Sequence, residues 1–378
     1  MSKIIEKTLS FYAGKPVLIT GHTGFKGSWL STWLHELGAK VIGYSLAPLT
    51  DPNMFEALNL EKKCVHLLGD VRDEKRLESV FNQHKPQIVF HMAAQPIVRR
   101  SYQEPQTTFE TNVMGTVNLL EAVRKTKCAK TVIVITSDKC YENRECNLGY
   151  KETDQLGGRD PYSSSKACAE LVVAAYRSSF FEPSSDSSVV ATASVRAGNV
   201  IGGGDWGEDR LVPDCIRALS AGKEILIRSP AAVRPWQHVL EPLAGYLLLG
   251  TRLHENQARF ATAWNFGPSE EENFTVEEIV QKVIAYWGNG TYNSKSPSKG
   301  FKEAYLLRLD CRKAHEILGW NPTYSTDEAL KETVAWYKKF YQGENPLKLY
   351  DYTVEQIAKY MTRGKYGPHL TSEALKSA

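Results

Sequence analysis

A tyrosine and a lysine four residues apart, Tyr162 and Lys166, stand in the run Asp160-Pro161-Tyr162-Ser163-Ser164-Ser165-Lys166. At helical spacing they share one face, and Pro161 suits a first helical position. A phenol with an ordinary pKa of ~10 is a poor base at neutral pH. An adjacent ammonium favours the phenolate, which can then take the proton of an alcohol while the same carbon is oxidised. In isolation the pair more often reads as a surface tyrosine beside a helical lysine. A second group, Ser137-Asp138-Lys139, follows the apolar run Thr131–Thr136. Ser137 can share the alcohol proton with Tyr162, and Asp138 with Lys139 forms an acid/base pair; a solvated loop is the plainer alternative. A third group is the glycine series Gly21, Gly24 and Gly27 in Thr20-Gly21-His22-Thr23-Gly24-Phe25-Lys26-Gly27. Glycines so placed allow a tight turn whose backbone N–H groups approach a pyrophosphate at a helix N-terminus. His22 and Lys26 carry polar groups into this turn, or stand as solvated helix-start residues.

Elements that could position these groups alternate along the first half. Short β-branched runs at Pro16–Thr20, Lys40–Ser45, Cys64–Leu68, Gln87–Met92, Thr131–Thr136 and Val189–Val195 predict strands. Helical patterns lie between them at Ser28–Leu37, Glu74–Gln83, Phe109–Lys125 and Pro161–Phe180. Apolar strands joined by helices imply right-handed crossovers and a parallel sheet covered on both faces. The glycine series then lies between the first strand and first helix, and Ser137-Asp138-Lys139 at a strand's carboxyl end, where ligands bind in open α/β sheets. The expected fold is α/β, a Rossmann-like doubly wound parallel sheet over 1–196 with a smaller C-terminal α/β substrate domain over 197–378. Residues 239–253 are expected to return to the first domain. Ser294–Gly300 reads as an exposed loop and Gly364–Ala378 as a weakly ordered tail.

The end of the second strand, Gly43-Tyr44-Ser45-Leu46, lacks the acid that usually binds an adenosine ribose. NAD is the favoured dinucleotide, since no arginine is placed to welcome a 2′-phosphate.

Composition excludes other classes. The 378 residues are 42% hydrophobic and 24% charged, with a formal charge of +3 and no basic block, so neither nucleic acid nor a membrane surface is an expected partner. No stretch reaches the ~20 apolar residues of a membrane span. The N-terminal ten residues do not read as a signal peptide. The seven cysteines contain no Cys-x-x-Cys pair, which argues for reduced thiols in a cytoplasmic protein and against a metal site.

The motifs together resemble the extended short-chain dehydrogenase/reductase family: Thr20-Gly21-x-x-Gly24-Phe25-x-Gly27, Asp70-Val71, His91-Met92-Ala93-Ala94-Gln95, Thr111-Asn112-x-x-Gly115-Thr116, Tyr162-x-x-x-Lys166, Arg196-Ala197-Gly198-Asn199-Val200-x-Gly202 and Arg234-Pro235-Trp236-Gln237-His238-Val239. Within that family, Asp138-Lys139, Gln95 to Tyr102 and Gly203-Gly204-Asp205-Trp206 are similar to the CDP-D-glucose 4,6-dehydratases. The dTDP-glucose enzymes carry Asp-Glu in place of Asp138-Lys139, and epimerases lack such a pair. The resemblance implies deoxysugar chemistry on a CDP-D-glucose substrate: oxidation at C4 by NAD, loss of water across C5 and C6, and return of hydrogen to C6. Ser137, Asp138, Lys139, Tyr162 and Lys166 are then catalytic. Asp138 is the acid, and Lys139 is a neutral base or a charged stabiliser. The cofactor contacts it implies are Gly21, Thr23, Gly24, Phe25, Lys26, Gly27, Ser45, Asp70, Val71, Ala93, Ala94, Gln95, Tyr162 and Lys166. Asn199, Arg234 and His238 are the implied substrate contacts. Asn112 is expected to order the strand-five region, and the helices over 109–125 and 161–180 to pair in a homodimer. Rival readings are a nucleotide-sugar epimerase, which needs no Asp138-Lys139, and a non-catalytic NAD-sensing protein, against which the intact Ser137, Tyr162 and Lys166 speak.

Overall fold

In the computed structural model the described residues are 10–145, 148–181, 189–269, 274–294 and 307–364. The expected Ser294–Gly300 loop and Gly364–Ala378 tail lie almost wholly outside them. Seven strands form the main sheet: β1 Pro16–Thr20, β2 Lys40–Ser45, β3 Val65–Leu68, β4 Ile88–His91, β5 Thr131–Ile135, β6 Ala191–Ala197 and β7 Ala263–Phe266. Their order is β7-β6-β5-β4-β1-β2-β3, and every neighbouring pair is parallel. The direction of winding reverses between β1 and β4, so the carboxyl ends of these strands open a crevice.

Alternation along the strands covers both faces. Val17 and Ile19 join one buried cluster with Trp29, Leu30, Phe90 and Ile133, whereas Leu18 joins the opposite one with Ile42, Leu77, Val89 and Leu119. Burial of both faces is why these strands read as continuous apolar runs. The helices that matter for the crevice are α1 Phe25–Glu36, α2 Gly115–Thr126, α3 Pro161–Phe180 and α4 Leu240–Glu255. The pattern expected as one helix over 109–125 is in fact an α-helical turn Pro105–Phe109, a π turn Glu110–Met114 and then α2.

The main sheet extends past residue 196. α4 packs against β5 and β6, and β7, which the sequence pattern did not reveal, adds an edge strand. Its four residues, Ala263–Phe266, are all buried and too short for a period to emerge. The smaller lobe consists of two-stranded pairings, Asn199–Ile201 with Trp236–His238, Val233–Arg234 with Phe274–Thr275 and Ile225–Ile227 with Tyr292–Ser294. Leu211–Ser220, Val276–Trp287 and Thr326–Tyr341 cover them. The last helix, Pro346–Arg363, returns to α1, where the Tyr350 hydroxyl donates to Glu36 at 2.6 Å. Among the described residues no helix is long and apolar enough to cross a membrane.

Candidate active site

The turn after β1 is built around glycine. Gly21 has φ +76°, and a Cβ there would lie 2.7 Å from the Ala93 nitrogen. A Cβ on Gly27 would lie 2.1 Å from the Gly21 carbonyl. Both positions therefore require glycine. Gly24, exposed, caps α1 without any side chain, so the first N–H groups of the helix stay open. That cradle fits the pyrophosphate of a dinucleotide. Thr20 Oγ1 accepts from the N–H groups of Met92 and Ala93 (3.1 and 3.2 Å), tying the β4 end to the turn.

The other expected cofactor contacts line the same rim with different degrees of commitment. Thr23 and Ser45 hydroxyls lie 2.8 Å apart, and Thr23 donates to the Leu46 carbonyl at 2.9 Å, so two hydroxyls occupy the place of the missing acid. Asp70 accepts from Arg72, whose guanidinium (2.6 Å) and backbone N–H (2.9 Å) hold its carboxyl below the usual range. Val71 is buried, Ala94 half-buried, and Phe25 packs against Gly202. Gln95 turns inward, donating to Ile97 O and Thr108 Oγ1.

His22 and Lys26 are not solvated helix-start residues. His22 is fully buried, with Nε2 2.7 Å from His66 Nδ1, and burial pushes its pKa down to about 3. Lys26 is half-buried and faces the catalytic groups: burial first, and the positive charges of Arg210 and Lys166, push its pKa down to about 8 against the pull of Asp138 and Asp205.

Tyr162 and Lys166 lie on α3, which Asp160 caps through the Ser163 N–H (2.9 Å) with Pro161 in its first turn. Ser101 Oγ accepts from the Tyr162 N–H at 3.2 Å and fixes this end of the helix. Burial raises the Tyr162 phenol to about 12, opposed by its hydrogen bond with Ser137 and by Arg210. Arg210 adds a positive charge that favours the phenolate, and the Lys166 ammonium, one helical turn further along α3, donates to the Ile135 carbonyl at 3.3 Å. Burial lowers Lys166 to about 8, with Glu170 opposing.

Ser137 opens a short 3-10 turn, Asp138–Cys140, and accepts from the Lys139 N–H at 3.2 Å. Its hydroxyl donates to Asp138 Oδ1 at 3.0 Å. Asp138 is 4% exposed, and burial raises its carboxyl against the pull of Lys139. A buried carboxylic acid hydrogen-bonded to the serine that meets Tyr162 is equipped to donate a proton. Lys139 is half-buried beside it.

A Cβ on Gly198 would lie 3.1 Å from Asp138 Oδ2 and 3.4 Å from Pro235. Gly198, the chain neighbour of half-buried Asn199, therefore lies against both Asp138 and Pro235, the latter the chain neighbour of half-buried Arg234. His238 does not reach the crevice. Its ring has no exposed surface, packs between Trp29 and Tyr324, and is held neutral by burial with a pKa of about 3. Asn112 orders a different loop from the one expected. Its Oδ1 accepts from the Gln95 N–H (2.8 Å) and its Nδ2 donates to Ser165 on α3 (2.8 Å), joining the β4 loop to the catalytic helix. Sequence reasoning missed Arg210, which pairs with buried Asp205 at 2.8 Å and whose charge reaches Tyr162 and Lys26. Only its position shortly after the glycine loop at 202–204 could have suggested it.

Residues 18–333 match the family model described as GDP-mannose 4,6 dehydratase. The chain belongs to this dehydratase family. Among its family relatives, the CDP-glucose 4,6-dehydratase of Salmonella typhimurium is 50% identical over 354 residues, 93% of this chain and 98% of that protein. Among solved structures, the dTDP-glucose 4,6-dehydratase DesIV of Streptomyces venezuelae, with NAD bound, shares the fold at a TM-score of 0.73 and 23% identity, covering 88% of this chain and 99% of that one. The UDP-glucose 4-epimerase of Thermotoga maritima, solved with UDP-glucose, gives 0.70 and 26%, covering 86% and 99%. Dehydratase and epimerase structures thus share this fold.

Proposed function

We propose that the protein is a hydro-lyase that converts CDP-D-glucose to CDP-4-keto-6-deoxy-D-glucose and water. The observation that carries the reading is Asp138, a buried carboxyl joined to Ser137 at 3.0 Å, a group that an epimerase does not need. The half-identical Salmonella relative supports the CDP-glucose substrate.

NAD, when bound, supplies the acceptor that takes hydrogen from C4 and gives it back at C6. The turn at Gly21, Gly24 and Gly27 with the N-terminus of α1 would hold its pyrophosphate, and the hydroxyls of Thr23 and Ser45 would be available to its ribose. Tyr162 takes the C4 hydroxyl proton through its hydrogen bond with Ser137. Burial alone keeps the phenol protonated, and the positive charge of Arg210 favours the phenolate, to which an oxidised nicotinamide would add. The resulting C4 ketone acidifies C5–H. Asp138 then gives its proton to the C6 hydroxyl as the C6–O bond breaks and water leaves, while Lys139 takes the C5 proton as base or steadies the enolate as solvent takes it. Asn199 and Arg234 meet the nucleotide diphosphate.

Outward-facing Phe109, Met114, Leu171 and Phe180 leave an apolar surface on the 105–126 segment and α3, which supports a homodimer through these helices. The unpaired state of the six described cysteines fits work in the cytoplasm. Deuterium at C4 of CDP-glucose tests the reaction. The label should reach C6 of the same molecule while C5 gains a solvent hydrogen; label retained at C4, or stoichiometric release of reduced cofactor, refutes it.

A further inference from the structure

Glu170 continues the face of α3 that carries Tyr162 and Lys166, each four residues from the last. It is 3% exposed, and no step of the reaction uses it. Its Oε1 accepts from Thr136 Oγ1 at 2.5 Å, and its Oε2 from Ser194 Oγ (2.7 Å) and Arg196 Nη2 (2.9 Å). Thr136 directly precedes Ser137-Asp138-Lys139. Arg196 reaches the other end of the same segment, donating to the Tyr141 hydroxyl at 2.6 Å and lying over its ring. The Tyr141 hydroxyl in turn donates to Asn265 on β7 at 2.8 Å. One buried ion pair thus brackets the turn bearing the catalytic trio, holding it at Thr136 and at Tyr141. Such a pair contributes little net stability compared with an apolar substitute, so its value lies in fixing geometry.

We propose that Glu170 is a positioning residue for the reaction: with Arg196 it locks the Ser137-Asp138-Lys139 turn to the Tyr162-Lys166 helix, and it sets a fixed negative charge one turn from the Lys166 ammonium. Lys166 is otherwise faced by Cys140 from the turn, Lys26 from α1 and His91 from β4, so Glu170 is the carboxylate among the groups around it. Because displacement of reacting groups by ~1 Å can cost ~10²-fold in rate, a tether at the root of the turn acts on kcat rather than on affinity.

The inference rests on the dehydratase reading, and the experiment separates the two. Full-length Glu170→Gln keeps volume and removes charge. It should lower kcat on CDP-glucose by ~10–10²-fold with KM within ~3-fold. The high-pH limb of the rate, where Lys166 loses its proton, should move to lower pH, because the carboxylate that favours the ammonium is gone. Acylation of Lys166 by acetic anhydride, followed by peptide mass, should rise at correspondingly lower pH without any substrate. Thr136→Val breaks the tether and keeps the charge, so kcat should fall by ~3–10-fold with the limb in place. A rate loss that only tracks folded protein, with limb and acylation midpoint unmoved, overturns the proposal. If Glu170→Gln does not fold, Thr136→Val and Tyr141→Phe decide, and unchanged kcat in both overturns it. A wild-type protein inert toward CDP-glucose sinks the dehydratase reading alone, while the acylation midpoint still decides the role of Glu170.

Discussion

Replacing Asp138 by asparagine isolates one step. The carboxyl is 4% exposed and raised by burial; the amide has nearly the same volume and avoids the cost of a buried charge, so the thermal midpoint should hold or rise. Asparagine retains an oxygen to accept from Ser137 Oγ, now at 3.0 Å, so the Ser137–Tyr162 geometry survives. Oxidation at C4 should therefore continue. The amide has no acidic proton for the departing C6 hydroxyl. Losing a positioned acid costs ~10²–10⁴ in rate, or about 3–5 kcal/mol of barrier, and the whole loss falls on elimination. Stopped-flow absorbance should show reduced nicotinamide building up on the enzyme to a near-stoichiometric level and decaying slowly as product forms. The wild-type elimination rate should fall as pH rises through the raised Asp138 pKa, since only the protonated form donates, and the variant should lack that fall. Product formation within ~3-fold of wild type, with no accumulation of reduced cofactor, refutes the acid assignment. Loss of the oxidation burst itself refutes the separation of roles between Asp138 and Tyr162.

Tyr162→Phe should lower turnover by ~10²–10⁴ while calorimetric binding of CDP-glucose changes little; activity within a few-fold of wild type removes the phenol from the chemistry. Glu241 accepts from the Thr323 and Tyr324 N–H groups and from the Tyr360 hydroxyl, and burial pushes its carboxyl from 4.5 up to about 7. The folded state therefore keeps a proton that the unfolded chain releases, and stability is lost as pH rises from ~4.5 to ~7, by up to about 3 kcal/mol. Thermal midpoints across that range should decline in the wild type and flatten in Glu241→Gln; parallel curves would contradict this. Leu171→Asp places a charge on the apolar face of α3, where Leu171 is 59% exposed, and should yield monomers in sedimentation velocity; an unchanged mass moves the dimer contact elsewhere.

What the sequence determined by itself was local. The Gly21–Gly27 turn, the Tyr162/Lys166 helix and the Ser137-Asp138-Lys139 strand end each lie within a few residues, so turn chemistry and helical period suffice to place them on their elements. Alternating apolar runs and helices likewise revealed six of the seven strands and their parallel pairing, whereas their order in the sheet came from the tertiary structure. Beyond that reach, the same residue types took different roles. His238 stands beside motif residues yet faces Trp29 and Tyr324 in the core, and His22 stands in the phosphate turn yet pairs with His66, 44 residues away. Arg210 acts on Tyr162, 48 residues away along the chain, only through the tertiary fold. Glu170 looks like any polar helix residue until β5 and β6 bring Thr136, Ser194 and Arg196 to its carboxylate. Side-chain direction, burial and charge pairing depend on partners far along the chain. Only packing of the two lobes around the sheet decides which polar groups face the crevice and which are sealed beneath it.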